Sequence, residues 1–238
     1  MKVFDIVVNA LFPNKCIACG TIINREEALC DYCYSKIERV DFFSACKRCG
    51  APKKLCECKY RVFHFSGMTA PFYNGDVAKA AMYKFKFEKL TICANYFAYE
   101  MAKAIKNTYF DIEFDGIVYV PMSNRKRLKR GFNQSQELAK RLSKLLGVAL
   151  YNDVLLARHK PQQQHDMHLK ERFKNVKGIY YYNKKVTGKT ILLVDDIKTT
   201  GATLDECAKQ LLLAGANDVY CVTGLLTKPK ERKKTNGS

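Results

Sequence analysis

The stretch ILLVDDIKTTGAT occupies residues 191–203. Its four leading apolar residues, Ile191, Leu192, Leu193 and Val194, spell a short buried strand between Lys189 and Lys198. Two carboxylates, Asp195 and Asp196, stand at the carboxyl end of that strand. Thr199, Thr200, Gly201, Ala202 and Thr203 then lead into LDECAKQLLLAG, which has helical spacing and ends at Gly215. A strand, a hydroxyl-rich turn and a helix start together make an anion site. The first-turn amides have no partner within the helix, the positive end of the dipole lies there, and Gly201 lets the backbone come close. An ordinary strand-to-helix turn with a good cap does not require adjacent acids followed by four hydroxyl or glycine positions.

The segment resembles the motif with which type I phosphoribosyltransferases bind phosphoribosyl pyrophosphate (PRPP). The resemblance implies that Thr199, Thr200, Gly201, Ala202 and Thr203 hold the 5-phosphate. Asp195 and Asp196 are then the catalytic pair, which holds the ribose diol and offsets the charge that develops on the ring. The segment is not a Walker A loop, since no Gly-Lys-Ser/Thr follows, and it lacks two of the three glycines of a dinucleotide fingerprint.

A chain of 238 residues, 47% hydrophobic, accommodates one α/β domain and a small appendage. No apolar run approaches the length of a membrane span. The apolar stretch in residues 1–12 is broken by Asp5 and Asn9 and lacks a small-residue cleavage site. It reads as an initial helix of a cytoplasmic protein. The net charge is +18, from 41 basic and 23 acidic residues. Such a balance suits nucleic acid, phosphorylated substrates or an anionic membrane surface, and equally the general solubility of a lysine-rich protein. Part of it is local: Arg125, Lys126, Arg127, Lys129 and Arg130 form one cluster. Lys228, Lys230, Arg232, Lys233 and Lys234 fall in a polar tail with the composition of disorder.

Eight of eleven cysteines lie between Cys16 and Cys58. Cys16, Cys19, Cys30 and Cys33 form two CxxC pairs, each a knuckle that presents two thiolates, and together they complete a tetrahedral zinc site. Cys46 and Cys49 with Cys56 and Cys58 suggest a second, although the last pair has one intervening residue and a weaker chelating geometry. Four thiolates leave no open position, so the metal is structural. Disulfides are the rival, and a reducing compartment disfavours them. Cys93, Cys207 and Cys221 read as small core residues.

Between these segments, Gly75 and Asp76 open a helical pattern, a second helix is expected over 91–105, and Gly116 to Val120 form a strand ending at Pro121. PMSNRKRLKRGFNQ, residues 121–134, reads as a polar loop before an amphipathic helix over 135–146, closed by Gly147. The loop offers Ser123, Asn124, Arg125 and Arg130 near a strand's carboxyl end, where doubly wound sheets bind ligands. It looks like the pyrophosphate loop of type I phosphoribosyltransferases. Residues 158–175 carry glutamines, Pro161, His165 and His168, and read as a polar lid beside a water-excluding site. Tyr83, Phe85 and Phe87 alternate with lysines, a pattern open to two readings, a stacking platform for single strands or an amphipathic core element.

These pieces together resemble the ComF family. The match runs from Cys16 to about Leu226 through three motifs: Val120, Pro121 and Arg130 to Gln134; Gln164, Met167, Arg172 and Asn175; and Asp195, Asp196 with Thr199 to Thr203. Cys56-x-Cys58 departs from the usual spacing. The resemblance implies an α/β fold of the type I phosphoribosyltransferase kind, a parallel sheet flanked by helices, joined to a small N-terminal zinc ribbon. The division would be 1–62 for the initial helix and double ribbon, 63–227 for the transferase-like domain and 228–238 for the tail. It further implies structural zinc, Mg²⁺ with PRPP, and a role in handling single-stranded DNA during natural competence. Partners would be a competence helicase or other DNA-uptake proteins at the inner face of the membrane. An active transferase on an unknown small-molecule or nucleobase acceptor is the alternative.

Overall fold

A strand covered on both faces reads as a continuous apolar run, and residues 191–194 are 0% exposed. The computed structural model describes residues 13–24, 27–56, 58–88, 91–158, 176 and 178–229. In chain order its elements are α1 (Asp31–Lys36), β1 (Gly67–Thr69), β2 (Phe72–Tyr73), α2 (Asp76–Glu88), α3 (Thr91–Thr108) and β3 (Gly116–Tyr119). There follow α4 (Asn124–Arg130), α5 (Gln134–Leu146), β4 (Leu155–Ala157), β5 (Tyr180–Tyr182), β6 (Thr190–Lys198), α6 (Ala202–Leu213) and β7 (Asp218–Leu226). The expected initial helix, the lid residues 159–175 and most of the basic tail lie outside the described residues.

The main sheet has the order β1-β7-β6-β3, with β2 also on β7, and every pairing is parallel. β4 and β5 form a separate antiparallel pair. β6 and β7, nine residues each, run in register from Thr190↔Asp218 to Lys198↔Leu226. The strand expected to stop at Val194 therefore continues through both acids, because β7 supplies partners for Asp195, Ile197 and Lys198.

Alternation along β6 divides the core. Leu192 and Val194 pack with Phe85, Phe97 and Leu138 from α2, α3 and α5. Ile191 and Leu193 pack with Leu204, Cys207 and Leu211 from α6. The cysteine-rich head joins both layers. Cys16, Ile17, Cys33 and Ile37 belong to the first, and Cys49, Ala51, Phe63 and Phe65 to the second. Arg39 ties the head to α3 through Glu100, at 2.6 Å. The two knuckle regions thus lie on opposite faces of one sheet.

Two local readings change. The polar loop 121–134 contains a helix, α4, closed by Gly131 at φ 83°. Its straight-chain Arg, Lys and Leu residues favour helix, and the left-handed position after it suits glycine. α5 begins at Gln134, where the Asn133 side chain accepts from the Ser135 amide. Among the described residues no helix is long and apolar enough to cross a membrane.

Candidate functional site: two thiol clusters and an acid pair at the sheet's carboxyl edge

The expected ligand sets converge. The sulfurs of Cys16, Cys19, Cys30 and Cys33 all lie within 4.8 Å of one another, and so do those of Cys46, Cys49, Cys56 and Cys58. Zn–S bonds of about 2.3 Å in a tetrahedron require sulfurs about 3.8 Å apart. Cys19–Cys30 is 3.7 Å, Cys49–Cys56 3.8 Å and Cys46–Cys58 3.9 Å. The short Cys56-x-Cys58 spacing therefore still closes a four-sulfur set. Ionisation tells the same story. Burial opposes the Cys46 thiolate, but the backbone amides of Cys49 and Arg48 and neighbouring thiols draw that thiol down to about 7. Burial and the neighbouring thiols push Cys58 far up. In the first cluster Cys33 is likewise pushed up by burial and its neighbours. Four thiolates at this spacing need a cation among them, so the donor set fits structural zinc.

The acid pair lies at the carboxyl end of β6, beside the end of β3. Asp195 is 8% exposed. Its Oδ1 accepts from Ser135 Oγ at 2.7 Å and from the Asp196 amide at 2.8 Å. Burial pushes its carboxyl up to about 7, and the Asp196 charge adds to this. The Ser135 and Asp196 donors and Lys86 work the other way. Asp196 pairs with Lys86 Nζ at 2.6 Å, both side chains partly buried. The turn that follows has Gly201 at φ 81°, a conformation that favours glycine. Thr200 Oγ1 accepts from the Ala202 amide at 3.2 Å.

Ser135 joins the two loops. Ser123, Asn124 and Arg125 lie at the start of α4, half-exposed or exposed. Arg130, at its end, donates to Gln134 Oε1 at 3.0 Å and lies 5.3 Å from the centre of the Phe87 ring. Sequence reasoning passed over Lys86, Ser135 and Tyr180. Burial, with the charges of Cys207 and Asp195, pushes the Tyr180 phenol far up, against a hydrogen bond with Thr203. The one legible signal was the helix start at 133–135; nothing in local spacing reports a lysine from α2 reaching β6.

Residues 7–62 match the double zinc ribbon domain, and residues 128–237 match the phosphoribosyl transferase domain. Competence protein F of Haemophilus influenzae is 24% identical over 227 residues, 87% of this chain and 95% of that protein. Competence protein ComFC of Bacillus subtilis is 27% identical over 205 residues, 82% of each chain. The chain is a homologue of these competence proteins. DNA utilization protein YhgH of Salmonella typhi is 36% identical over 110 residues, 45% of this chain, and this match spans 48% of that relative's length. Adenine phosphoribosyltransferase of Saccharomyces cerevisiae is 14% identical, with 59% of this chain and 72% of that chain covered at a TM-score of 0.38. This competence-protein homologue thus has a phosphoribosyltransferase-like α/β body with an N-terminal double zinc ribbon.

Proposed function

We propose that the chain binds PRPP with Mg²⁺ at the acid pair and the turn 199–203, and serves competence by handling single-stranded DNA. The observation that carries the PRPP reading is the Ser135–Asp195 hydrogen bond at 2.7 Å. It draws the loop after β3 against the acids of β6, at the carboxyl edge where open α/β sheets take ligands. In this reading Asp196 and Asp195 accept from the ribose hydroxyls. The amides and hydroxyls of Thr199, Thr200, Gly201, Ala202 and Thr203 take the 5-phosphate. Ser123, Asn124, Arg125 and Arg130 take the pyrophosphate, the arginines as forked donors. Mg²⁺ is oxygen-seeking and keeps several waters. In this reading it would be carried largely by the ligand's own phosphates.

Calorimetry with PRPP and Mg²⁺ tests this. Replacing Asp195 and Asp196 together by Ala weakens binding about tenfold or more, that is about 1.4 kcal/mol. Unchanged affinity would mean that the pair is structural, its partners being Ser135 and Lys86. Following pyrophosphate release with candidate acceptors separates an active transferase from a binding protein.

The DNA half rests on α4 and its neighbours. Arg125, Lys126, Arg127 and Lys129 are exposed, and no acid lies on that helix. Tyr83 and Phe87, 60% and 57% exposed, pair at 4.5 Å, whereas Phe85 is 2% exposed and belongs to the core. The core-element reading of that alternation holds for Phe85, and the stacking-platform reading is proposed here for Tyr83 and Phe87. Exposed rings beside cations suit stacked bases. In this reading the chain acts beside DNA-uptake proteins at the inner face of the membrane.

A further inference from the structure

The second thiol cluster reaches the anion turn directly. Arg61, shortly after Cys58, donates from Nη1 to the Thr200 carbonyl at 2.8 Å, and its guanidinium lies 4.2 Å from the centre of the Phe63 ring. The His64 amide donates to Asp205 Oδ1 at 2.6 Å, in the first turn of α6. Beneath the turn runs Lys198, 6% exposed. A Cβ placed on Gly201 would meet Lys198 Cε at 3.1 Å. The Arg61 amide donates to the Cys58 carbonyl at 3.4 Å, which ties that arginine to the second cluster. The turn is thus gripped from above by a residue of the second ribbon. It is backed by the buried stem of Lys198, against Gly201.

Charge gives this arrangement a purpose. A divalent cation held by four thiolates carries two net negative charges. Arg61 and Lys198 supply two positive ones. A buried ammonium is tolerated where it has such a counter-charge, and is costly without it. We propose that the second metal–thiolate cluster is an integral part of the anion turn, holding residues 199–203 in their ligand-binding shape through Arg61 and Lys198. The first cluster packs in the layer on the other face of the sheet and serves as the control. Loss or oxidation of the second cluster's metal then releases the turn. The ligand-affinity half of this inference rests on the PRPP reading above; the shape half does not.

The test uses the full chain, with zinc counted in every sample. Hydrogen exchange is read at the amides of 199–203, and calorimetry is run with PRPP and Mg²⁺. Arg61→Ala and Lys198→Met each speed exchange in the turn and weaken PRPP about tenfold or more, while zinc content stays that of the parent. Arg61→Lys keeps the charge but loses the planar fork, and falls between. Arg39→Ala, which cuts the first ribbon's ion pair with Glu100, leaves exchange in the turn unchanged. Parental exchange and affinity in a folded Arg61→Ala overturn the proposal, and so does an equal effect from Arg39→Ala. Should Lys198→Met fail to fold, the two Arg61 variants decide. A parent chain that binds no PRPP refutes the assigned ligand. The exchange data then decide alone: a loosened turn in Arg61→Ala upholds the inference and an unchanged one ends it.

Discussion

Lys86 Nζ lies 2.6 Å from Asp196 Oδ2, so a cation from α2 meets one acid of the pair while Ser135 of α5 donates to the other. The buried member of the pair, Asp195, feels both the Asp196 charge and the lysine that balances it.

This relationship sets a pH dependence. Asp195 titrates at about 7 in the folded chain, against about 3.9 when unfolded. Folding therefore favours its neutral form. The stabilisation is complete below about pH 4 and is lost as pH rises through about 7. Melting temperatures across this range should fall with pH by more in the parent than in Asp195→Asn. PRPP affinity should run the other way, rising through about pH 7 as the acceptor ionises. Lys86→Met removes a charge that lowers the Asp195 carboxyl, so the binding midpoint should move to higher pH. An unmoved midpoint would detach Lys86 from the site.

Ser135→Ala removes a hydroxyl donor from a buried carboxyl. Bonds to charged groups are worth about 1.5–3 kcal/mol, and the loss is greatest where Asp195 is ionised. Denaturant unfolding at pH 8 should show a deficit in that range, shrinking at pH 5. An equal deficit at both values would mean that the hydroxyl only packs.

Zinc analysis of chain purified without added metal should give two ions per chain, one for each four-sulfur cluster. Strong chelation should destabilise the head and with it the sheet, since thiol–zinc sites carry folding energy. A folded, metal-free head would refute the assignment.

Single-stranded DNA should bind with little sequence preference and lose affinity steeply with salt as counterions are released. The charge of 228–238 is a confounder, so the comparison is with a chain ending at Pro229, which keeps the Lys228–Glu38 ion pair. Fluorescence anisotropy across a salt series should leave most of the binding intact. Replacing Tyr83 and Phe87 by Ala should then cost about 1–3 kcal/mol per stacked base. Loss of all binding on truncation would place the DNA contact in the tail.

The sheet was legible because buried parallel strands need apolar runs, and ILLV at 191–194 is one. The acids and the glycine turn were legible because they are contiguous. Both thiol clusters were legible because each knuckle is local. What escaped reading was joined by tertiary structure. α4 carries a single apolar side chain, Leu128, so it has no hydrophobic period to betray a helix. Lys86, Ser135 and Arg61 reach the site from three separate elements, and a linear pattern records none of those meetings. The extension of β6 through Asp195 to Lys198 depended on β7, which lies after it in the chain.

The position of the head on both faces of the sheet bears on biogenesis. Its cysteines are made first, but the strands they cover, β6 and β7, are made last. Every native contact between them closes a long loop, and such contacts form slowly. Until then the knuckles expose Ile17, Phe63 and Phe65 with nothing to cover them. A nascent chain starved of zinc would meet its own sheet without an ordered head, and unpaired strands in that condition are prone to aggregate. Supply of zinc during synthesis, more than after it, should therefore govern how much native protein a cell accumulates.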